Sequence, residues 1–183
     1  MSHALIVGRT EFGKTRACKA LASGLVKHGK VLAYDVLGSK WPDGVQVVTS
    51  RADFEWYYWS EIDWLAVFID EAGETVRHFD EDMEKTATRG RHPGHQNFYI
   101  VQGLTLMSKQ ARKQCTVCYL FNCESGDADA LYELYGKKHN PNDPYRMIFD
   151  APSFESGEFI HFTVTKPPVK YRLNFVANKI ETA

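Results

Sequence analysis

The chain has 183 residues, of which 44% are hydrophobic and 25% charged, and its net charge is -1. That length suits one domain, and that composition a soluble globular chain with a real core, not a disordered one. No apolar run approaches the roughly 18–20 residues that cross a bilayer, and the N-terminus enters an apolar strand without the features of a signal peptide.

Ala4-Leu5-Ile6-Val7 is a short apolar run that stops at Gly8, the pattern of a buried parallel strand. From Lys14 to His28 the spacing of Ala17, Leu21 and Leu25 predicts a helix, with Gly29 where helices often end. Val31–Tyr34 reads as a second strand ending at Asp35, residues 38–44 as a loop turning at Pro42-Asp43-Gly44, and Val45–Val48 as a third strand. An aromatic helix follows over 52–60, then Leu65–Ile69, the most apolar strand. A charged helix is predicted from about Glu74 to Ala87, and a loop through Gly90, Pro93 and Gly94.

Phe98–Val101 is another buried strand, Leu106–Gln114 a helix, Thr116–Phe121 a strand, and Asp127 and Gly136 read as the caps of a further helix. A Pro/Asn loop, His139 to Pro144, leads to a β-hairpin predicted over 146–150 and 158–165 around Ser156-Gly157. Alternating apolar strands and helices mean an α/β fold, a mostly parallel sheet with helices on both faces and the hairpin extending or edging it. The expected organisation is a single domain over 1–183, with a core at about 4–136 and a β-rich extension at about 140–175.

Residues 8–15 match G-x-x-x-x-G-K-[ST] at every fixed position, between a strand and a helix. The glycines let successive backbone N–H groups curl around phosphate oxygens, and the helix adds its positive end. The nucleotide-binding candidates are therefore Gly8, Arg9, Thr10, Glu11, Phe12, Gly13, Lys14, Thr15 and the following Arg16. Lys14 would reach the β and γ phosphates of ATP, and the Thr15 hydroxyl would ligate Mg2+.

Val67-Phe68-Ile69 ends in Asp70-Glu71. A strand-end Asp in such proteins holds magnesium, and a Glu after it can orient and deprotonate water. The plain alternative is two solvated acids at a helix start. A kinase must exclude water and gains nothing from such a Glu, so the pair points to hydrolysis.

Gln102, at the end of the next strand, would stand near the γ-phosphate, where it could report hydrolysis or position the water. Arg89 and Arg91, in Thr88-Arg89-Gly90-Arg91-His92-Pro93-Gly94, could neutralise developing charge from a neighbouring subunit. They could equally form a solvated basic loop or touch a nucleic-acid backbone. Charge is unevenly placed: residues 85–123 contain no Asp or Glu, and residues 60–84 contain nine acidic residues and one basic. Lys109, Arg112 and Lys113 on the predicted helix, and Gly136-Lys137-Lys138-His139-Asn140, are the candidate DNA contacts, with a solvated charged face as the alternative.

Cys115-x-x-Cys118, Cys123 and Cys18 lack the second ligand pair of a zinc site and read as buried, reduced thiols. Phe54, Trp56, Tyr57, Tyr58, Trp59 and Trp64 read as core or subunit packing in preference to a base-stacking surface.

Taken in order, the phosphate loop, Tyr34-Asp35-Val36-Leu37-Gly38-Ser39, Phe68-Ile69-Asp70-Glu71-Ala72-Gly73, Arg89–Gly94 and Tyr99-Ile100-Val101-Gln102 resemble the FtsK/HerA superfamily of DNA-pumping P-loop ATPases. Within it, the chain looks most like the genome-packaging ATPases of tailless icosahedral viruses with internal membranes. The resemblance implies a RecA-like core with an additional strand and a pentameric or hexameric ring with double-stranded DNA in its pore. It also implies Gln102 as sensor and Arg89 or Arg91 acting in trans. Its partners would be capsid or portal-vertex proteins, with viral membrane proteins at the vertex. Its place would be the infected host's cytoplasm or the virion vertex. Members often carry Arg-Pro after the sensor, where this chain has Gly103-Leu104. A filamentous-phage export ATPase, a small-molecule kinase and a nucleotide-gated switch without turnover are the competing readings.

Overall fold

The computed structural model describes residues 3–61, 63–75, 80–90, 92–136, 140, 142–175 and 179–182. Its strands are β1 (His3–Val7), β2 (Lys30–Tyr34), β3 (Val45–Val48), β4 (Leu65–Ile69), β5 (Gln96–Val101), β6 (Cys115–Leu120), β7 (Glu158–Thr163), β8 (Lys166–Asn174) and β9 (Lys179–Thr182). They form one nine-stranded sheet in the order β3-β2-β4-β5-β1-β6-β7-β8-β9. The pairs from β3 through β6 are parallel, and β7, β8 and β9 continue the sheet antiparallel.

Both faces of the central strands are apolar, as parallel strands covered on two sides require. On β1, Leu5 and Val7 join one core, and Ala4 and Ile6 the other. The first core receives α2 (Arg51–Ser60), α4 (Glu81–Thr88), α5 (Lys109–Lys113) and α6 (Ser125–Tyr135), through Phe54, Met83, Ala111 and Leu131. The second receives α1 (Lys14–Leu25) through Ala17, Cys18 and Ala22, with Trp41 and Phe159 beside it. All four cysteines are buried, and none is in a disulfide.

β5 lies between β1 and β4 and pairs with both, Val101 with Val7 and Tyr99 with Ile69. This is the additional-strand arrangement, and it brings the ends of β1, β5, β4 and β2 to one edge of the sheet. Toward the opposite edge, where β1 and β5 begin, the buried Asn97 side chain donates to Tyr99 Oη (2.9 Å) and the Thr86 carbonyl (2.8 Å), and its backbone N–H to His3 Nδ1 (3.1 Å). Two strands, β1 and β5, and the helix α4 are thus tied through polar groups that burial obliges to pair.

Four expectations need correction. Residues 146–150 are not a strand: Pro144–Ser153 is a 3₁₀ segment, opened by Asp143, whose carboxylate accepts from Tyr145 N at 2.9 Å. Its buried residues, Tyr145, Ile148 and Ala151, recur every third position, the 3₁₀ period. The hairpin is instead β7 with β8, and β8 with β9 forms a second one. The helix predicted over 74–87 is described as two pieces, α3 (Ala72–Thr75) and α4, residues 76–79 lying outside the described residues. Between Leu106 and Gln114, a 3₁₀ turn over Leu104–Leu106 precedes the short α5. Finally, α6 opens at Ser125, and Asp127 is turned inward, accepting a hydrogen bond from Leu104 N at 2.9 Å.

Candidate active site

The chain leaves β1 at Gly8 with φ +153°. A Cβ there would stand 2.7 Å from Phe121 Cβ and 2.8 Å from the Asn122 carbonyl oxygen, so the close passage of β1 past β6 demands glycine. Glu11 (φ +68°) and Gly13 (φ +98°) carry the loop through left-handed conformations, and α1 begins at Lys14. A short tether holds the loop in place: Arg9 N donates to the Asn122 carbonyl at 2.7 Å.

A cleft of about 310 Å³ opens at this edge, lined by Thr10, Lys14, Thr15, Arg16, Asp70 and Glu71, with Gln102 at the end of β5. Lys14 is 8% exposed, and its ammonium donates to the Arg9 carbonyl at 2.8 Å, within the curve of the loop. Burial pulls its pKa down, against the Glu71 and Asp70 carboxylates, which hold it up. Burial raises the Asp70 pKa, opposed by the N–H of Glu71, which donates to its carboxylate at 2.9 Å. An ammonium and two carboxylates are therefore held partly desolvated together, where their interactions are stronger than in water.

Glu71 has φ +48°, an uncommon conformation for a residue with a Cβ and one found preferentially at functional sites. Gln102 Nε2 lies 3.1 Å from each Glu71 carboxylate oxygen, and the Gln102 carbonyl accepts from the Thr10 hydroxyl at 3.2 Å. Thr10, the Gln102 side-chain amide and the Glu71 carboxylate thus form one chain of hydrogen bonds along the cleft. Thr15 and Asp70 offer hard oxygen donors to the same space, a set suited to magnesium.

Beside it, Asp35 closes β2. Its carboxylate accepts from Leu37 N (3.0 Å), Ser39 N (3.1 Å) and the Trp41 indole (3.0 Å). Burial works against the charge, but these donors hold the Asp35 pKa below the usual carboxylate range.

Not every candidate faces the cleft. The Arg9 and Phe12 side chains line a neighbouring cavity of about 640 Å³, with Glu124 and Asp127, which shares Thr10 and Gln102 with the first. Arg89 is exposed at the end of α4, and the six residues of β5 separate its loop from Gln102, roughly 20 Å of strand. Within its own chain Arg89 is therefore remote from the cleft. Arg91 lies outside the described residues, as do 137–139 of the second basic stretch.

On α5, Lys109 and Lys113 are exposed, but Arg112 is half-buried, with Nε enclosed and without a hydrogen-bond partner among the described residues. Its pKa is lowered by burial, against the nearby charge of Asp127. Of the aromatic cluster, Phe54 and Tyr58 are wholly buried, whereas Trp56 is 72% and Trp59 42% exposed.

The sequence offered no signal for Phe175, which lines the cleft from the far end of the chain. β8 carries it there, and two contacts dock the extension on the phosphate loop: Gly157 N donates to the Phe12 carbonyl (3.1 Å), and the Ser156 hydroxyl to that of Glu11 (3.1 Å).

No family model matches the chain, and no curated protein matches it. Solved structures do. The genome packaging NTPase B204 from Sulfolobus turreted icosahedral virus 2, in complex with AMPPCP, superposes with a TM-score of 0.69 at 14% identity, over 99% of this chain and 97% of that one. B204 from Sulfolobus turreted icosahedral virus, described as a DNA-packaging ATPase, gives 0.67 at 14% identity over 99% and 97%. EccC of Thermomonospora curvata (ATPases 2 and 3), in complex with a signal sequence peptide, gives 0.62 at 11% identity, over the whole of this chain and 36% of that one. At such identities the likeness carries the fold. The chain has the P-loop NTPase fold found in these ATPases, in agreement with the FtsK/HerA resemblance of its motifs.

Proposed function

We propose that the chain is a magnesium-dependent ATPase whose hydrolysis drives double-stranded DNA into a viral capsid. The observation that carries the hydrolytic part is Glu71, held at φ +48° with both carboxylate oxygens against the Gln102 amide in the phosphate cleft. A carboxylate so placed is positioned to orient water and take its proton as the γ-phosphate is cleaved. Lys14 binds the β and γ phosphates, and Thr15 and Asp70 hold the metal, which when bound neutralises charge on the phosphate oxygens. Gln102 touches Glu71 and Thr10 together and can report the loss of the γ-phosphate to β5.

The motor part of the proposal rests on the order of motifs and on the fold shared with B204, described as a genome packaging NTPase. In a ring, Arg89 would be offered to a neighbour's cleft, the role its distance from its own leaves open. Exposed Lys109 and Lys113 would follow the DNA backbone without reading sequence. Capsid or portal-vertex proteins would be its partners, at the virion vertex or in the host cytoplasm. No helix among the described residues is long and apolar enough to cross a membrane. Small-molecule kinase chemistry is disfavoured by Glu71, which would promote wasteful hydrolysis.

The test is steady-state ATP hydrolysis by the parent and Glu71→Gln proteins, each with and without double-stranded DNA. Loss of about 10²–10⁴-fold in turnover with ATP binding retained, and stimulation of the parent by DNA, are expected. Turnover unaffected by Glu71→Gln would remove the assignment of the base.

A further inference from the structure

We infer that Phe175 is the platform on which the nucleotide base stacks, making the C-terminal strands part of the nucleotide site. The inference rests on the phosphate-cleft reading above and adds the other end of the ligand. Along the cleft, Gln102 and Glu71 mark the γ-phosphate end. The loop then runs through Lys14 and Thr15 to Arg16, so the sugar and base of a bound nucleotide extend toward Arg16. Phe175 lines the cleft at that end.

Its ring is partly exposed, with the Arg16 guanidinium over one face. Phe175 is 36% exposed, and the Arg16 guanidinium carbon lies 5.0 Å from its centroid, so this face already serves as a cation–π surface. Arg16 also donates to the Phe175 backbone carbonyl. The outer edge of the ring is packed. A Cβ added at Gly157 or Gly13 would lie 2.7 Å or 3.6 Å from its ring carbons, so backbone of both the extension and the phosphate loop abuts that edge. Gly157 in turn accepts from Leu173 N at 2.9 Å and donates to the Phe12 carbonyl at 3.1 Å. A rigid ring beside a guanidinium, next to the α-phosphate position, suits a flat heteroaromatic base, and a purine, with the larger π-face, more than a pyrimidine. Arg16 then moves from the ring face toward the phosphate.

The experiment measures dissociation constants by calorimetry for ATP, CTP and inorganic tripolyphosphate. The proteins are the parent chain, Phe175→Ala, Phe175→Leu and Phe175→Tyr, with Lys14→Ala as the control for the phosphate site. The Ala and Leu variants should bind ATP about ten-fold more weakly, in line with the stacking of a base on an aromatic ring. They should bind tripolyphosphate as the parent does, and lose its preference for ATP over CTP. Phe175→Tyr should resemble the parent. Equal weakening of ATP and tripolyphosphate would mean that Phe175 only shapes the loop, and unchanged ATP binding would mean that it contributes nothing; either overturns the inference. If the parent binds neither ligand, or Lys14→Ala changes neither affinity, the phosphate-site reading fails first and takes this one with it.

Discussion

Replacing Gly8 by alanine tests the geometry that lets the phosphate loop exist. At φ +153°, the added Cβ would lie 2.7 Å from Phe121 Cβ and 2.8 Å from the Asn122 carbonyl oxygen, whereas carbon atoms pack at about 3.5–4.0 Å. Relief requires β1 and the end of β6 to separate. That would break the bond from Arg9 N to the Asn122 carbonyl (2.7 Å), just past β6, and disturb that from Gly8 N to the Val101 carbonyl of β5 (3.2 Å). Strain of about 1–3 kcal/mol for the backbone angle and about 1–3 kcal/mol for overpacking sum to roughly 2–6 kcal/mol. For a chain of this length that lowers Tm by roughly 5–20 °C.

The matched control is Gly24→Ala, in α1, where an added Cβ meets nothing within 4 Å and φ is ordinary. This change should stabilise by about 0.5–1 kcal/mol, because glycine is a poor helix former. Thermal melting followed by circular dichroism, with and without ATP, reads both. The Gly8 variant should also lose the ATP-induced rise in Tm that ligand binding confers. A Gly8→Ala melt within about 2 °C of the parent, or one that matches Gly24→Ala, would refute the reasoning.

Asn97→Ala should destabilise by about 2–4 kcal/mol, since it leaves the buried Thr86 carbonyl and Tyr99 hydroxyl short of a donor. Urea unfolding should show a lower midpoint with an unchanged slope. Lys109→Ala with Lys113→Ala should weaken duplex DNA binding at low salt and flatten its salt dependence by about two phosphate contacts. Arg112→Ala, at a half-buried position, should instead lower stability. Arg89→Ala should leave ATP binding intact and reduce turnover by up to about 10³-fold through its proposed role in trans; equal turnover of variant and parent would remove that role.

Much of the site was legible because its signals are local. The phosphate loop is one continuous segment whose glycines and lysine have no other common reason to stand at that spacing. Asp70-Glu71 and Gln102 follow uninterrupted apolar strands. Placing Gln102 beside Glu71 needed one further step, that β5 inserts between β1 and β4, and this came from the resemblance of motif order.

Other features were not legible, for physical reasons that differ. Met147-Ile148-Phe149 is a short apolar run, and such runs do not distinguish a strand from a 3₁₀ turn; packing on α6 and the Asp143 cap decided it. Asp127 reads as a helix cap, yet its carboxylate serves the turn after β5. Arg112 belongs to a basic stretch in sequence, but the short α5 turns it inward beside Asp127 while Lys109 and Lys113 stay outside.

The sequence by itself determined the six parallel strands, the phosphate loop and the acidic pair, because period, turn residues and motif spacing act over a few neighbouring positions. Only the tertiary structure decided that Arg89 stands at the opposite edge of the sheet from its own cleft, and that Phe175 reaches that cleft from some 160 residues beyond Arg16. Those facts depend on which strands pair and in which direction, and pairing is settled by burying both faces of the whole sheet at once.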